Sequence, residues 1–138
     1  MQNILTKISD LADTYKGKKL ELQQVILYQR KLKLNNLPTI PKDYIKFLYQ
    51  YNSLIGDNFW LFGINPRNNN DMDIIFENIA INHPNKKQCL ILGFDDVCYF
   101  TWNQQTLSYQ LIDKSDFEVL NNYQICSNAL IDFLGLNK

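Results

Sequence analysis

The 24 residues from Cys89 to Ile112 constrain this chain more than any other segment. Cys89-Leu90-Ile91-Leu92 is an unbroken apolar run, the pattern of a strand covered on both faces. Gly93-Phe94-Asp95-Asp96 then turns into Val97-Cys98-Tyr99-Phe100-Thr101-Trp102, and Asn103-Gln104-Gln105-Thr106 turns into Leu107-Ser108-Tyr109-Gln110-Leu111-Ile112. With the four residues 103–106 as the loop, Trp102 faces Leu107, Phe100 faces Tyr109 and Cys98 faces Leu111. Thr101 then faces Ser108, and Tyr99 faces Gln110, on the other side. A slip of one residue would exchange the faces of a strand, so a register that sorts both strands predicts an antiparallel meander over about 89–112. It places Trp102 in the core.

Around that meander the periodicity changes to helical. Ile4, Leu5, Ile8, Leu11 and Ala12 predict a short helix over 2–14. Residues 20–33 read as a second helix, with Leu22, Val25, Ile26, Gln29 and Leu32 as its apolar stripe and the glutamine as an interruption. Val25-Ile26-Leu27-Tyr28 is also β-rich, which leaves a strand over 24–28 as the alternative. Lys18, Lys19, Arg30, Lys31 and Lys33 make this region basic, a solvated face before it is a partner patch. Pro38 and Pro41 keep their predecessors extended, and Pro41 opens a helix whose Tyr44, Phe47, Leu48 and Tyr51 share one face. Residues 52–58 read as loop, Phe59-Trp60-Leu61-Phe62 as strand and 64–70 as a polar turn. Asp71 or Asp73 caps a helix running to about Ile81. A short strand at 117–120 and a closing helix from Ile125 to Leu134, capped by Gly135, complete the chain. The sum is α+β: a single domain over 1–138, a mostly antiparallel twisted sheet packed by N-terminal, central and C-terminal helices.

Composition narrows function by exclusion. Fourteen basic residues balance fourteen acidic ones, without the basic excess of a dedicated nucleic-acid binder. No apolar run approaches the roughly 18 residues of a membrane span, and the first residues lack the pattern of a signal peptide, so a cytoplasmic location is expected. Cys89, Cys98 and Cys126 are odd in number, widely spaced and set among apolar residues, which reads as buried free thiols. A cysteine nucleophile would need a base, and the single histidine, His83, lies in a turn, Asn82-His83-Pro84-Asn85. The five glycines form no phosphate-binding loop. The pairs Asp71/Asp73 and Asp95/Asp96 suit turns and helix caps before they suit cation binding or acid–base work. No cofactor and no metal site is expected.

Five segments in order resemble the SUKH superfamily. Leu37-Pro38-x-x-x-Pro41-x-x-Tyr44-x-x-Phe47-Leu48-x-x-Tyr51-Asn52 is similar to its LPxDYxxFLxxYNG signature, with Ser53 standing where that signature has glycine. Phe59-Trp60-Leu61-Phe62-Gly63 resembles its first strand, and Asp73-Ile74-Ile75-Phe76-Glu77-Asn78 the DIIEKN segment of the YrhA-like branch. Leu90 to Phe100 resembles the LLIGSDGDxxYFYD hairpin, although Phe94-Asp95-Asp96 has no glycine at the tip. Ser127 to Leu134 is similar to the terminal SFEEFLxxL helix. Together they span about residues 20–136.

The resemblance implies an α+β domain without catalytic residues that binds proteins. Bacterial members typically act as immunity proteins, encoded beside polymorphic or contact-dependent toxins, often nucleases, which they bind and block. The expectation is therefore a cytoplasmic immunity protein, monomeric or weakly dimeric, whose partner is a cognate toxin domain, with no direct contact to nucleic acid or membrane. A scaffold binding an endogenous protein is the alternative. A hydrolase or transferase resting on Cys98, His83 or the Asp pairs ranks last. Nuclease toxins are usually basic, so acidic and aromatic side chains near strand ends are the natural partner-binding candidates: Asp57, Trp60, Asp95 and Asp96.

Overall fold

Among the described residues, seven strands lie side by side in the order in which the chain makes them, every neighbouring pair antiparallel. They are β1 (Tyr15–Lys16), β2 (Leu54–Ile55), β3 (Phe59–Leu61), β4 (Cys89–Asp95), β5 (Cys98–Asn103), β6 (Ser108–Asp113) and β7 (Val119–Tyr123). Helices α1 (Leu22–Leu34) and α2 (Lys42–Gln50) are inserted between β1 and β2, and α3 (Ile74–Ala80) between β3 and β4. Helix α4 (Cys126–Leu134) follows β7. The structure is a computed structural model and describes residues 7–8, 15–16, 19–64 and 72–136. Most of the helix expected over 2–14 lies outside these residues, although Lys7 and Ile8 are helical and Ile8 is fully buried. Residues 65–70 of the turn expected over 64–70, and Asp71, lie outside them as well.

The meander has the expected faces but different partners. Phe100 pairs with Leu111, Trp102 with Tyr109 and Cys98 with Asp113, each partner two residues further along β6 than the pattern predicts. The four-residue turn is 104–107, not 103–106. Asn103 stays in the strand and its side-chain oxygen accepts the amide N–H groups of Gln105 and Thr106, while Leu107 takes φ +53° in the turn. Because side chains alternate with period two, this two-residue shift keeps every residue on its predicted face. The hairpin tip between β4 and β5 is likewise tighter than expected: Gly93, Phe94 and Asp95 belong to β4.

One face of the sheet carries Phe100, Trp102, Tyr109 and Leu111 and is packed by α2 and α4. The Phe100 ring lies 6.1 Å from Tyr44 and 5.3 Å from Phe133. Tyr44, Phe47, Leu48 and Tyr51 are all buried, as their spacing predicts. The Tyr44 hydroxyl donates to the Phe62 carbonyl at 2.8 Å, so this buried phenol ties α2 to the end of β3. Trp102 is half-buried against Tyr109.

Residues 22–34 are helix, which removes the alternative strand at 24–28. Gln24 starts it by accepting the Glu21 amide at 3.0 Å. The buried stripe is Val25, Tyr28 and Leu32, whereas Leu22 and Ile26 are 66 % and 41 % exposed, contrary to expectation. Two polar anchors set that rotation. The Tyr28 hydroxyl donates to Asp73 at 2.8 Å and accepts the Ile75 amide at 2.7 Å. Gln29 exchanges two hydrogen bonds with the backbone of Ile40, at 2.8 and 2.9 Å, fastening the proline-bounded segment to α1.

The remaining differences are local. Residues 52–58 contain β2, too short to show a period. Asp73, not Asp71, caps α3 by accepting the Phe76 amide. Buried Asn78 bridges α3 to β4, its oxygen accepting the Ile91 N–H and its amide donating to the carbonyls of Ile91 and Ile74, each at 2.8 Å. β7 begins two residues later than expected, and Ile125 is the exposed residue before α4, not part of its buried face. Gly135 closes α4 at φ +67°, the left-handed conformation expected of it.

Candidate functional site

In a meander, alternate turns fall at the same end of the sheet. The β2–β3, β4–β5 and β6–β7 turns therefore meet at one end, although they come from three separate stretches of chain. Asp57 stands in the first, Asp96 just after Asp95 in the second, and Asp113, Asp116 and Glu118 surround the third. The C-terminal end of α4 joins them: Asn58, Asp95 and Asp132 share a cleft of about 220 Å³. Seven carboxylates thus gather here against a single cation, Lys114, among the described residues of these segments. At the opposite end Lys33, Lys87 and Gln104 line a depression instead.

The zero net charge conceals this separation. From Cys89 onward the chain has six acidic residues and two lysines; before Cys89 it has eight acidic and twelve basic residues. A charge count taken by segment finds the polarity that a total over the whole chain cancels.

Aromatic side chains lie beside the acids on the sheet face turned away from α2 and α4. Ile55, Trp60, Phe94, Tyr99, Ile112 and Val119 pair in succession, one apolar row across six strands. Trp60 is half-buried and stacks on Phe94 at 4.9 Å. Lys114 lies over Phe94, its ammonium 4.6 Å from the ring centre, and donates to the Asp95 carbonyl at 3.0 Å. Phe117 stacks on Tyr99 at 5.8 Å from a backbone with φ +61°, a conformation that a bulky residue rarely adopts.

The four candidates read from the sequence fall together at this end with different duties. Asp57 and Asp96 are exposed at neighbouring turns. Trp60 contributes one face of the aromatic row. Asp95 shapes the β4–β5 turn, one of its oxygens accepting the amides of Val97 and Cys98 at 2.8 and 2.7 Å. Sequence reasoning missed Phe94, Lys114, Asp116, Phe117 and Glu118. Phe94 passed for a turn residue, and the β6–β7 turn has no motif of its own. Asp113 accepts the hydroxyl and amide of Ser115, which hold its carboxyl below the usual range.

The sulfur and imidazole groups are set differently. All three cysteines are free and buried. Burial pushes the Cys98 thiol up to about 12, with Asp95 adding to it, and burial also raises Cys126 to about 12. Both are protonated at neutral pH, the poorly nucleophilic form. The His83 ring packs on Phe117 at 5.0 Å, its Nδ1 accepts the Asn85 amide, and burial lowers its pKa. Among the described residues no hydrogen bond joins His83 to a thiol, and no group of three His, Cys, Asp or Glu side chains is placed to hold a metal ion. No helix among them is long and apolar enough to cross a membrane.

No protein-family model and no curated protein matches the chain.

Proposed function

We propose that this chain is a non-catalytic protein-binding module of the SUKH type that acts in the cytoplasm as an immunity protein and covers a basic toxin domain with the acidic end of its sheet. The observation that carries this reading is the gathering of seven carboxylates at one end of the sheet of a neutral chain, with half-buried aromatics beside them on one face. Such an arrangement supplies both parts of a protein interface. The carboxylates steer a basic partner into encounter over about 8 Å, the screening length at physiological salt. Trp60, Phe94 and Phe117 provide apolar area that the charged rim shields from water once the partner docks. Inhibition then needs no chemistry, because occlusion of the partner's own site is enough.

The test is affinity capture of the tagged chain from its own host, with mass spectrometry of what is retained and of the products of adjacent genes. Capture of an adjacent toxin domain at 1:1, lost on Asp57→Lys with Asp96→Lys, supports the reading. Capture of other proteins through the same end replaces immunity with scaffolding. Retention that these charge reversals leave intact removes the acidic end from the interface.

A further inference from the structure

Strand β7 is the last of the sheet, with β6 on one side and no strand on the other among the described residues. In an antiparallel ladder a strand turns alternate N–H and C=O groups toward each neighbour, so β7 carries a row of them that meets no strand. Among the described residues, no backbone hydrogen bond beyond the β6 ladder involves residues 119–123. The side chains are equally bare. Val119 and Leu120 are 44 % and 47 % exposed, Ile125 just past the strand is 56 % exposed, and Asn121 and Asn122 are exposed as well. Sheet edges are ordinarily kept from pairing by a lysine, a proline, a charge or a bulge. β7 has no lysine, no proline and no charge. Its one bulge lies at the start, beside Val119, and leaves Asn121, Asn122 and Tyr123 in regular register with Leu111, Gln110 and Tyr109. A row of unmet backbone groups selects an extended backbone as its partner, because only a strand repeats donors and acceptors at the same spacing.

We propose that β7 pairs antiparallel with β7 of a second copy of this chain, about a two-fold axis through Asn121, so that the two sheets run on as one. Charge and strand length select that occupant and that direction. In this register Asn121 stands opposite Asn121, two amides that can each donate and accept, and Leu120 stands opposite Asn122. Asp116 and Glu118 lie just before the strand. A parallel pairing in register would set these carboxylates against their own copies, whereas the antiparallel one sends them to opposite ends and brings Glu118 toward Gln124. A head-to-tail contact of β7 with β1 would build a filament, but β1 is two residues long against the five of β7. Pairing of like with like closes at two copies. A foreign strand steered by charge finds none on β7, while a second copy brings the same neutral edge. The contact is one strand wide, of the small class under roughly 1,000 Å², so the dimer forms and dissociates with concentration. It leaves the acidic end of each copy free and stands independently of the immunity reading.

The full chain is followed by analytical ultracentrifugation from roughly 1 μM to 1 mM, the span of transient affinities, and by amide hydrogen exchange at the two limits. The parent is expected to double in mass at the upper limit and there to slow exchange of amides within 119–123. Asn121→Lys and Asn121→Asp each set like charges across the axis, so either variant alone should stay monomeric, and the two mixed should associate 1:1. Asn121 is exposed, so unchanged circular dichroism certifies the fold of both variants. A parent that keeps its monomer mass throughout overturns the proposal. So does a dimer that both variants retain, or a mixture of the two that fails to associate while the parent does. Masses that grow past two overturn the closed pairing. Slowed exchange at 119–123 that requires an added host lysate and leaves the purified parent monomeric gives the edge to a foreign strand, and overturns the second copy.

Discussion

Replacing Ser53 by glycine should stabilise this protein. Ser53 is fully buried, sits at φ +79° and has a hydroxyl without a hydrogen-bond partner. A non-glycine residue in the left-handed region costs about 1–2 kcal/mol. The buried, unsatisfied hydroxyl adds about 1 kcal/mol, the low end of its range. Opposing these, glycine gains about 0.5–1 kcal/mol of freedom in the unfolded chain, and the vacated volume forfeits about 1 kcal/mol of packing. The balance is close to 1 kcal/mol in favour of Ser53→Gly, or about 3–5 °C in Tm for a chain of this length. Urea denaturation checks it, with Ser53→Ala as the control that removes the hydroxyl but keeps the strained φ. Glycine should exceed alanine by about 1 kcal/mol. Equal stability of the two variants would refute the strain argument, and a glycine variant less stable than the parent would show that packing dominates. The site leaves no room for change on its other side. A Cβ on Gly63 would come within 2.7 Å of the Ser53 nitrogen, so Gly63→Ala should destabilise by more than Ser53→Gly gains.

Three further outcomes are expected. Asn78→Ala leaves both the N–H and the C=O of Ile91 unpaired between α3 and β4, which should lower stability by about 3 kcal/mol in the same urea assay. Native-state stability should peak between about pH 7 and 9. The His83 pKa is depressed below the ordinary 6.5, so its unfolded form takes the proton first and stability falls as pH drops below that value. Cys98 and Cys126 are raised from 9.0 to about 12, so stability is full below 9.0 and declines as the unfolded thiols ionise above it. His83→Gln should flatten the acid limb between pH 6.5 and 5, and an unchanged limb would exclude His83 as its origin. Asp57→Lys and Asp96→Lys, both at exposed turns, should each change stability by less than about 0.5 kcal/mol while slowing association with a captured partner, most at low salt; stopped-flow mixing separates this from an effect on dissociation.

The candidate site was partly legible. Asp57, Trp60, Asp95 and Asp96 were readable as acids and an aromatic near strand ends, and the structure sets them at one end of the sheet. The remainder of that end was not, because Lys114, Asp116, Phe117 and Glu118 owe their place to the β6–β7 turn falling beside two others. Adjacency between turns some 20 to 40 residues apart leaves no local mark. The rotation of α1 was hidden for a related reason: the apolar pattern of 20–33 fits two rotations of the helix, and the choice rests on Tyr28 reaching Asp73, 45 residues away.

What the sequence alone determined is what depends on neighbours along the chain. The period-two alternation placed Phe100, Trp102, Tyr109 and Leu111 on one face, the aromatic spacing of α2 defined its buried side, Pro41 and Gly135 marked helix ends, and the elements from β3 onward followed in their observed order, whereas the two-residue strands β1 and β2 left no pattern to read. The tertiary structure decided what depends on contacts between distant segments. It chose the pairing of Phe100 with Leu111 over Tyr109, the rotation of α1, Asp73 as the cap of α3, and the separation of charge between the two ends of the sheet. The physical reason is one of degeneracy. Local propensity and periodicity specify which way a side chain faces, but alternatives that preserve the face differ only in turn hydrogen bonds and long-range polar anchors, which exist once the chain has folded.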